Sequence, residues 1–127
     1  MTQPVPERLT LVELLELTVP FPEFEAAARR AIERLEREGI RELESVQFYT
    51  DEASTEIAAV LQFSSASQIV RHVERIATWD EFLHFATMIK LKDMRVLGKL
   101  DASAEAWMRQ FQGPIRKFEQ PVAGFFR

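Results

Sequence analysis

The sequence predicts an α+β fold of the ferredoxin-like, split βαβ kind, with helices on one face of a four-stranded antiparallel sheet. Three observations lead there. Hydrophobic spacing switches between two residues and about 3.6 residues in the order β-α-β-β-α-β. Only residues 51–54 join the second strand to the third, too few for a parallel crossover, and no stretch of the 127 residues reads as a linker or a repeat.

Leu9, Leu11, Leu15, Leu17 and Val19 share one face of a first strand, which Pro20 and Pro22 close. Its second face holds Thr10, Val12, Leu14, Glu16 and Thr18, partly apolar as well, which suits a strand covered on both sides. From Pro22 to Glu38, Phe24, Ala27, Ala28, Ala31, Ile32 and Leu35 recur at helical spacing. Pro22 suits the first turn of that helix, and Gly39 suits the left-handed position after its end. Strands are expected over 42–50 and 55–63, the latter with Ile57, Ala59, Leu61 and Phe63 on one face, joined as an antiparallel hairpin.

Ser65 with Gln68, and Thr78 with Glu81, have the spacing of capping boxes. They predict two short helices meeting near Thr78, or one kinked helix, with the second boundary followed by Phe82, Leu83, Ala86 and Ile89. A fourth strand is expected over 94–100. Asp101 then caps a helix carrying Trp107, Met108 and Phe111, which Gly113 and Pro114 stop. The tail IRKFEQPVAGFFR is a candidate for one more edge strand.

Length favours one domain over 1–127, with residues 101–127 as a C-terminal extension of the split βαβ unit. A net charge of -4 supplies no basic field for nucleic acid. The chain has no cysteine, which excludes disulfides, thiolate nucleophiles and zinc–thiolate sites and fits a reducing compartment. Neither a secretory leader nor an apolar run of the ~18 residues needed for a membrane span is legible, so the expectation is a cytoplasmic protein. Val12, Leu14, Ala58 and Val60 would leave the second face of the sheet as an apolar patch, and pairing of two such faces in a homodimer is the simplest cover.

Glu13 is the anomaly of the first strand, a carboxylate between Leu11 and Leu15 on an otherwise apolar face. Two readings are open. Burial would raise its pKa into the range of a general base. Alternatively, a bulge or register change turns it outward, or Arg95 on the neighbouring strand pairs with it. His72 lies on the helical stripe of Ile69, Val73 and Ile76, where it would serve either proton transfer or packing. Glu81 and His84 form a Glu-x-x-His without the second copy that a di-metal site needs, so an ion pair on the helix surface is expected and no metal. Trp79 and Trp107, with Phe82, Phe85 and Phe111, would line an aromatic pocket or fill a core. Tyr49, Gln47 and Gln62 add polar groups on strands. The four glycines are too scattered for a phosphate loop.

The element order, the segment FSSASQIVRHVERI after the third strand, and the ending FEQPVAGFFR, with Pro121, Gly124, Phe125 and Arg127 in a Pro-x-x-Gly-Phe-x-Arg pattern, resemble bacterial members of the dimeric α+β barrel superfamily. The group in question is related to antibiotic biosynthesis monooxygenases. The resemblance implies homodimers whose sheets pair into a barrel, with a pocket in each subunit between sheet and helices. It implies cofactor-free oxygenation of a small aromatic or quinone-like substrate. Oxygenases and haem-degrading enzymes of that superfamily rely on an Asn beside a Trp or His, and this chain contains no Asn. The fold and the dimer therefore carry over, and no triad does. The expected site takes Glu13 and His72 as catalytic residues and Tyr49, Trp79, His84 and Arg95 as ligand-binding ones, without cofactor. The alternative is a non-catalytic homodimer that binds a small ligand or a protein partner.

Overall fold

The first strand, β1 (Leu9–Leu17), pairs antiparallel on both sides, which puts it at the middle of the sheet. One neighbour is β3 (Glu56–Phe63) and the other is β4 (Ile89–Leu97). Beyond β3 lies β2 (Leu43–Thr50), and beyond β4 lies β5 (Ile115–Phe118), giving the order β2-β3-β1-β4-β5. These positions come from a computed structural model that describes residues 8–111 and 113–125. Arg127 of the C-terminal pattern and the residues before Arg8 lie outside the described residues.

The sheet is five-stranded and mixed, a correction to the four antiparallel strands expected. The tail does add an edge strand, but β5 runs parallel to β4, Met94 facing Ile115 and Leu97 facing Phe118. A parallel neighbour needs a long connection, and residues between Leu97 and Ile115 supply one that contains a helix, α4 (Ala102–Met108). Asp101 caps α4 as expected, its carboxylate accepting from the Ala104 backbone N–H at 2.9 Å.

The other helices are α1 (Phe21–Arg37), α2 (Ser67–Ile76) and α3 (Asp80–Ala86). Pro22 sits in the first turn of α1, and Gly39 follows its end at φ 67, the left-handed conformation a glycine adopts without penalty. The two expected capping boxes are not formed. No side chain caps α2 or α3, and the Ser65 hydroxyl meets that of Ser67 instead.

The fourth strand starts at Ile89 rather than Met94. Between Leu14 and Leu15 the register against β4 shifts, so that Leu14 faces Asp93 and Leu15 faces Leu91, with Lys92 as the extra residue. Such a bulge inverts the alternation of its strand. Leu91 on one side of it and Met94 and Val96 on the other therefore all point to the helix-covered face.

On that face the apolar side chains form two clusters. One holds Leu9, Leu11, Phe63, Ile69, Met94 and Val96; the other holds Leu15, Phe24, Ala28, Ile57, Ala59 and Phe85. Phe24 anchors the second through ring contacts with Phe48 and Phe85, at 5.9 and 5.4 Å between centroids. The opposite face carries Val12 across from Val60 and Leu14 across from Ala58, all four half-buried, with exposed Tyr49, Leu97 and Phe118 around them. No helix among the described residues is long and apolar enough to cross a membrane.

Candidate active site

Glu13 lies where the two apolar clusters part. Along β1 its neighbours are Leu11, of the first cluster, and Leu15, of the second. Across the strands it faces Met94, again of the first, and Ala59, of the second. All four are at most 3% exposed, whereas Glu13 keeps intermediate exposure. Glu13 is thus the most accessible of these five side chains on the helix-covered side, although its carboxyl is largely withdrawn from water.

Arg95 does not pair with Glu13. It stands opposite Val12, on the other face of the sheet, and its guanidinium meets Asp93 at 3.4 Å. The bulge leaves Glu13 on the helix-covered face, because the register shift begins only after Leu14. Among the described residues nothing donates to the Glu13 carboxyl. Burial without a compensating partner pushes its pKa from 4.5 up to about 7.

A groove of about 230 Å³ lies between α1 and the β2–β3 hairpin, lined by Phe21, Phe24 and Ile32 of α1, Phe48 and Tyr49 of β2, and Ile57 of β3. Ile57 faces Leu15, two positions along β1 from Glu13. Glu13 itself is not among the residues lining this groove; Leu15 and Ile57 lie between the two.

His72 occupies a different place. It is 3% exposed and packs edge-on against Phe63, with ring centroids 5.7 Å apart. Phe63 faces Leu9, four positions from Glu13, which is about 13 Å along a strand. Sequence reasoning put Glu13 and His72 on the same side of the sheet, and the fold separates them along it. The neighbours of His72 went unnoticed in the sequence: Glu42, whose side chain is 4% exposed, accepts from the Arg75 Nε at 2.5 Å. Burial opposes ionisation of Glu42, but its own backbone N–H and the Arg75 guanidinium outweigh that and hold the carboxyl below its usual range. Glu42 lies 33 residues from Arg75, so no local pattern signals the pair.

Burial lowers the pKa of His72, and Arg75 adds to this, while the Glu42 charge partly opposes them. Its Nδ1 has no hydrogen-bond partner. The unfolded imidazole titrates near 6.5 and the folded one lower, so the native state holds this contribution above pH 6.5 and loses it as pH falls. An NMR titration of the imidazole nitrogens is expected to place the His72 midpoint below 6.5, and a midpoint at or above that value contradicts the burial described.

The remaining candidates are dispersed. Trp79 is buried at the N-terminus of α3, with the Arg34 guanidinium 4.3 Å above its ring. Arg34 also donates to Glu81 at 2.7 Å, so Glu81 answers an arginine of α1 rather than His84. His84 is exposed, its Nδ1 3.4 Å from Arg30 Nη2. Tyr49 is 56% exposed and donates its hydroxyl to Gln47 at 2.6 Å. Trp107 stacks edge-on with Phe111 at 4.9 Å, at the other end of the molecule's apolar interior. Among the described residues no group of three His, Asp or Glu side chains is placed to hold a metal ion.

Comparison with solved structures bears on the fold. MupZ from Pseudomonas fluorescens superposes with a TM-score of 0.69 over 95% of this chain and 95% of its own, at 17% identity. The chain has its fold. SnoaB from Streptomyces nogalater, described as a cofactor-independent oxygenase, gives a TM-score of 0.62 over 76% of this chain and 96% of its own, at 8% identity. A protein from Bacteroides thetaiotaomicron described as a possible oxidoreductase gives 0.54, covering 72% of this chain and 97% of its own, also at 8% identity. No protein-family model and no curated protein sequence matches the chain.

Proposed function

We propose that the protein is a monooxygenase-like enzyme of the dimeric α+β barrel kind, acting without a bound cofactor on a small aromatic or quinone-like substrate, with Glu13 as its general base. The observation that carries the reading is an unpartnered carboxylate on the central strand, under the helices, poised to titrate near neutrality. A base works best when its pKa lies near the working pH, since it is then ionised often enough and still basic enough to take a proton. A hydroquinone-type ring seated against Phe24 and Phe48 would present a hydroxyl to that carboxylate. Once deprotonated, such a ring is electron-rich enough to reduce dioxygen itself. SnoaB, with the same fold, is named for cofactor-independent oxygenation, and this chain departs from the asparagine-based site of that group by having no Asn.

The second reading is favoured by that same departure: a homodimer that binds an apolar ligand without converting it. Under both, two subunits cover the Val12, Leu14, Ala58 and Val60 face against each other. Oxygen uptake with a panel of hydroquinones and anthrones separates them. Turnover that requires dioxygen and rises with pH through about 7 supports the base assignment; ligand-dependent thermal stabilisation with no oxygen uptake supports the binding protein.

A further inference from the structure

Far along the sheet from the aromatic groove, the turn after α1 and the outer side of α2 enclose a groove of about 360 Å³. Arg41, Arg71 and Arg75 line it, with Glu38, Glu42, Ser64 and Gln68. The charges are unevenly committed. Glu42 is held by Arg75, and Glu38 is met by Arg34 at 3.6 Å. Arg41 and Arg71 have no ion-pair or hydrogen-bond partner among the described residues. Glu42 is thus answered and Glu38 shares Arg34 with Glu81, while two guanidiniums from different elements face the concavity without an ion-pair partner among the described residues.

We infer that this groove binds a phosphate dianion, free or as the end group of a small ester, through Arg41 and Arg71. Two uncommitted positive charges match the charge of a phosphate monoester near neutral pH better than that of a monocarboxylate. The guanidinium fork offers paired N–H donors to phosphate oxygens, which an ammonium does not. Ser64 and Gln68 are neutral donors on the same rim. Arg75, its charge answered by the buried Glu42 carboxylate, is held in place at the groove wall and keeps Glu42 from opposing an anion there. Gly39 lets the chain reverse after α1 so that Arg41 comes back over the groove. The site is independent of Glu13 and of the reading built on it.

Calorimetric titration of the whole chain at low ionic strength tests it, with inorganic phosphate, phenyl phosphate and benzoate as probes. Saturable binding of the phosphates is expected, with benzoate much weaker. Arg41→Ala and Arg71→Ala should each raise Kd about tenfold, the scale of one lost charge-assisted contact. Arg109→Ala, which removes the same charge from an exposed position on another part of the surface, should leave Kd unchanged. Tighter binding of phenyl phosphate identifies an ester as the ligand, and equal binding identifies free phosphate; both uphold the site. It is overturned by the absence of saturable phosphate binding up to roughly 10 mM, the weakest affinity such a site would be worth, by benzoate binding as well as phosphate, or by Arg109→Ala weakening binding as much as the two groove variants. All three arginines are exposed, so these variants leave the core untouched.

Discussion

Glu13→Gln is expected to abolish turnover and, above neutral pH, to make the protein more stable. A side chain that serves as general base contributes on the order of a hundredfold to ten-thousandfold to the rate, and glutamine keeps the shape of glutamate while losing its basicity. The stability effect follows from linkage. The carboxyl titrates at 4.5 when the chain is unfolded and at about 7 when it is folded. Below pH 4.5 both states are protonated and nothing is lost. As pH rises through 7 the folded state comes to hold an ionised carboxylate without a partner, and stability falls by about 3 kcal/mol at most. The glutamine variant has no such slope. Urea denaturation at pH 5 and pH 8 checks this: parent and variant should be similar at pH 5, and the variant more stable at pH 8. A parent that is the more stable of the two at pH 8 would show that the Glu13 charge is compensated.

The second large effect is expected from Val60→Asp. Val60 faces Val12 on β1 and Gln47 on β2, at the centre of the face without helices. Its substitution leaves the helix-covered clusters intact, since Val60 points away from them. In the proposed homodimer, a carboxylate at the centre of the paired sheet faces loses its water without gaining a partner, in both subunits at once. That costs several kcal/mol, so the dimer dissociation constant should rise by about a thousandfold or more. Sedimentation velocity at micromolar concentration should show a dimer for the parent and a folded monomer for the variant, with unchanged far-UV circular dichroism. A parent that sediments as a monomer removes the dimer from the account.

Much of this was legible in the sequence because the sheet is amphipathic strand by strand. The alternation along the first and third strands located the central strand, one of its two neighbours and their helix-facing side, and it singled out Glu13 as the exception on that side. The β2–β3 hairpin followed from a four-residue link. The start of β4 was hidden for a specific reason. Ile89 continues the helical spacing of Phe82, Leu83 and Ala86, and the bulge at Lys92 breaks the alternation that would have revealed a strand. Met94 and Val96, beyond the bulge, begin a run of alternation out of phase with that of Ile89 and Leu91. The direction of β5 was equally hidden, since a four-residue strand carries no sign of whether it runs parallel or antiparallel to its neighbour.

The candidate site was legible only in part. Polar residues on strands were easy to find, but their face depends on register, and Arg95 falls on the opposite face from Glu13 while Tyr49 points to the open side. Helical spacing groups the aromatic residues of α3 and α4 as possible pocket walls, whereas Phe85 joins Phe24 and Phe48 in one cluster and Trp107 packs with Phe111 in the other. The buried Glu42–Arg75 pair and the arginine-lined groove beside it come from residues about thirty positions apart. Spacing rules within one element cannot reach that far.

The most direct test is the ionisation of Glu13 itself, followed by carbon-13 NMR of side-chain carboxyls in the folded parent, with Glu13→Gln assigning the resonance. The account predicts a midpoint near 7, well apart from the exposed carboxylates. A midpoint near 4.5 would mean that water or an unrecognised cation reaches the carboxylate, and Glu13 could then be neither the desolvated group nor the neutral-pH base described.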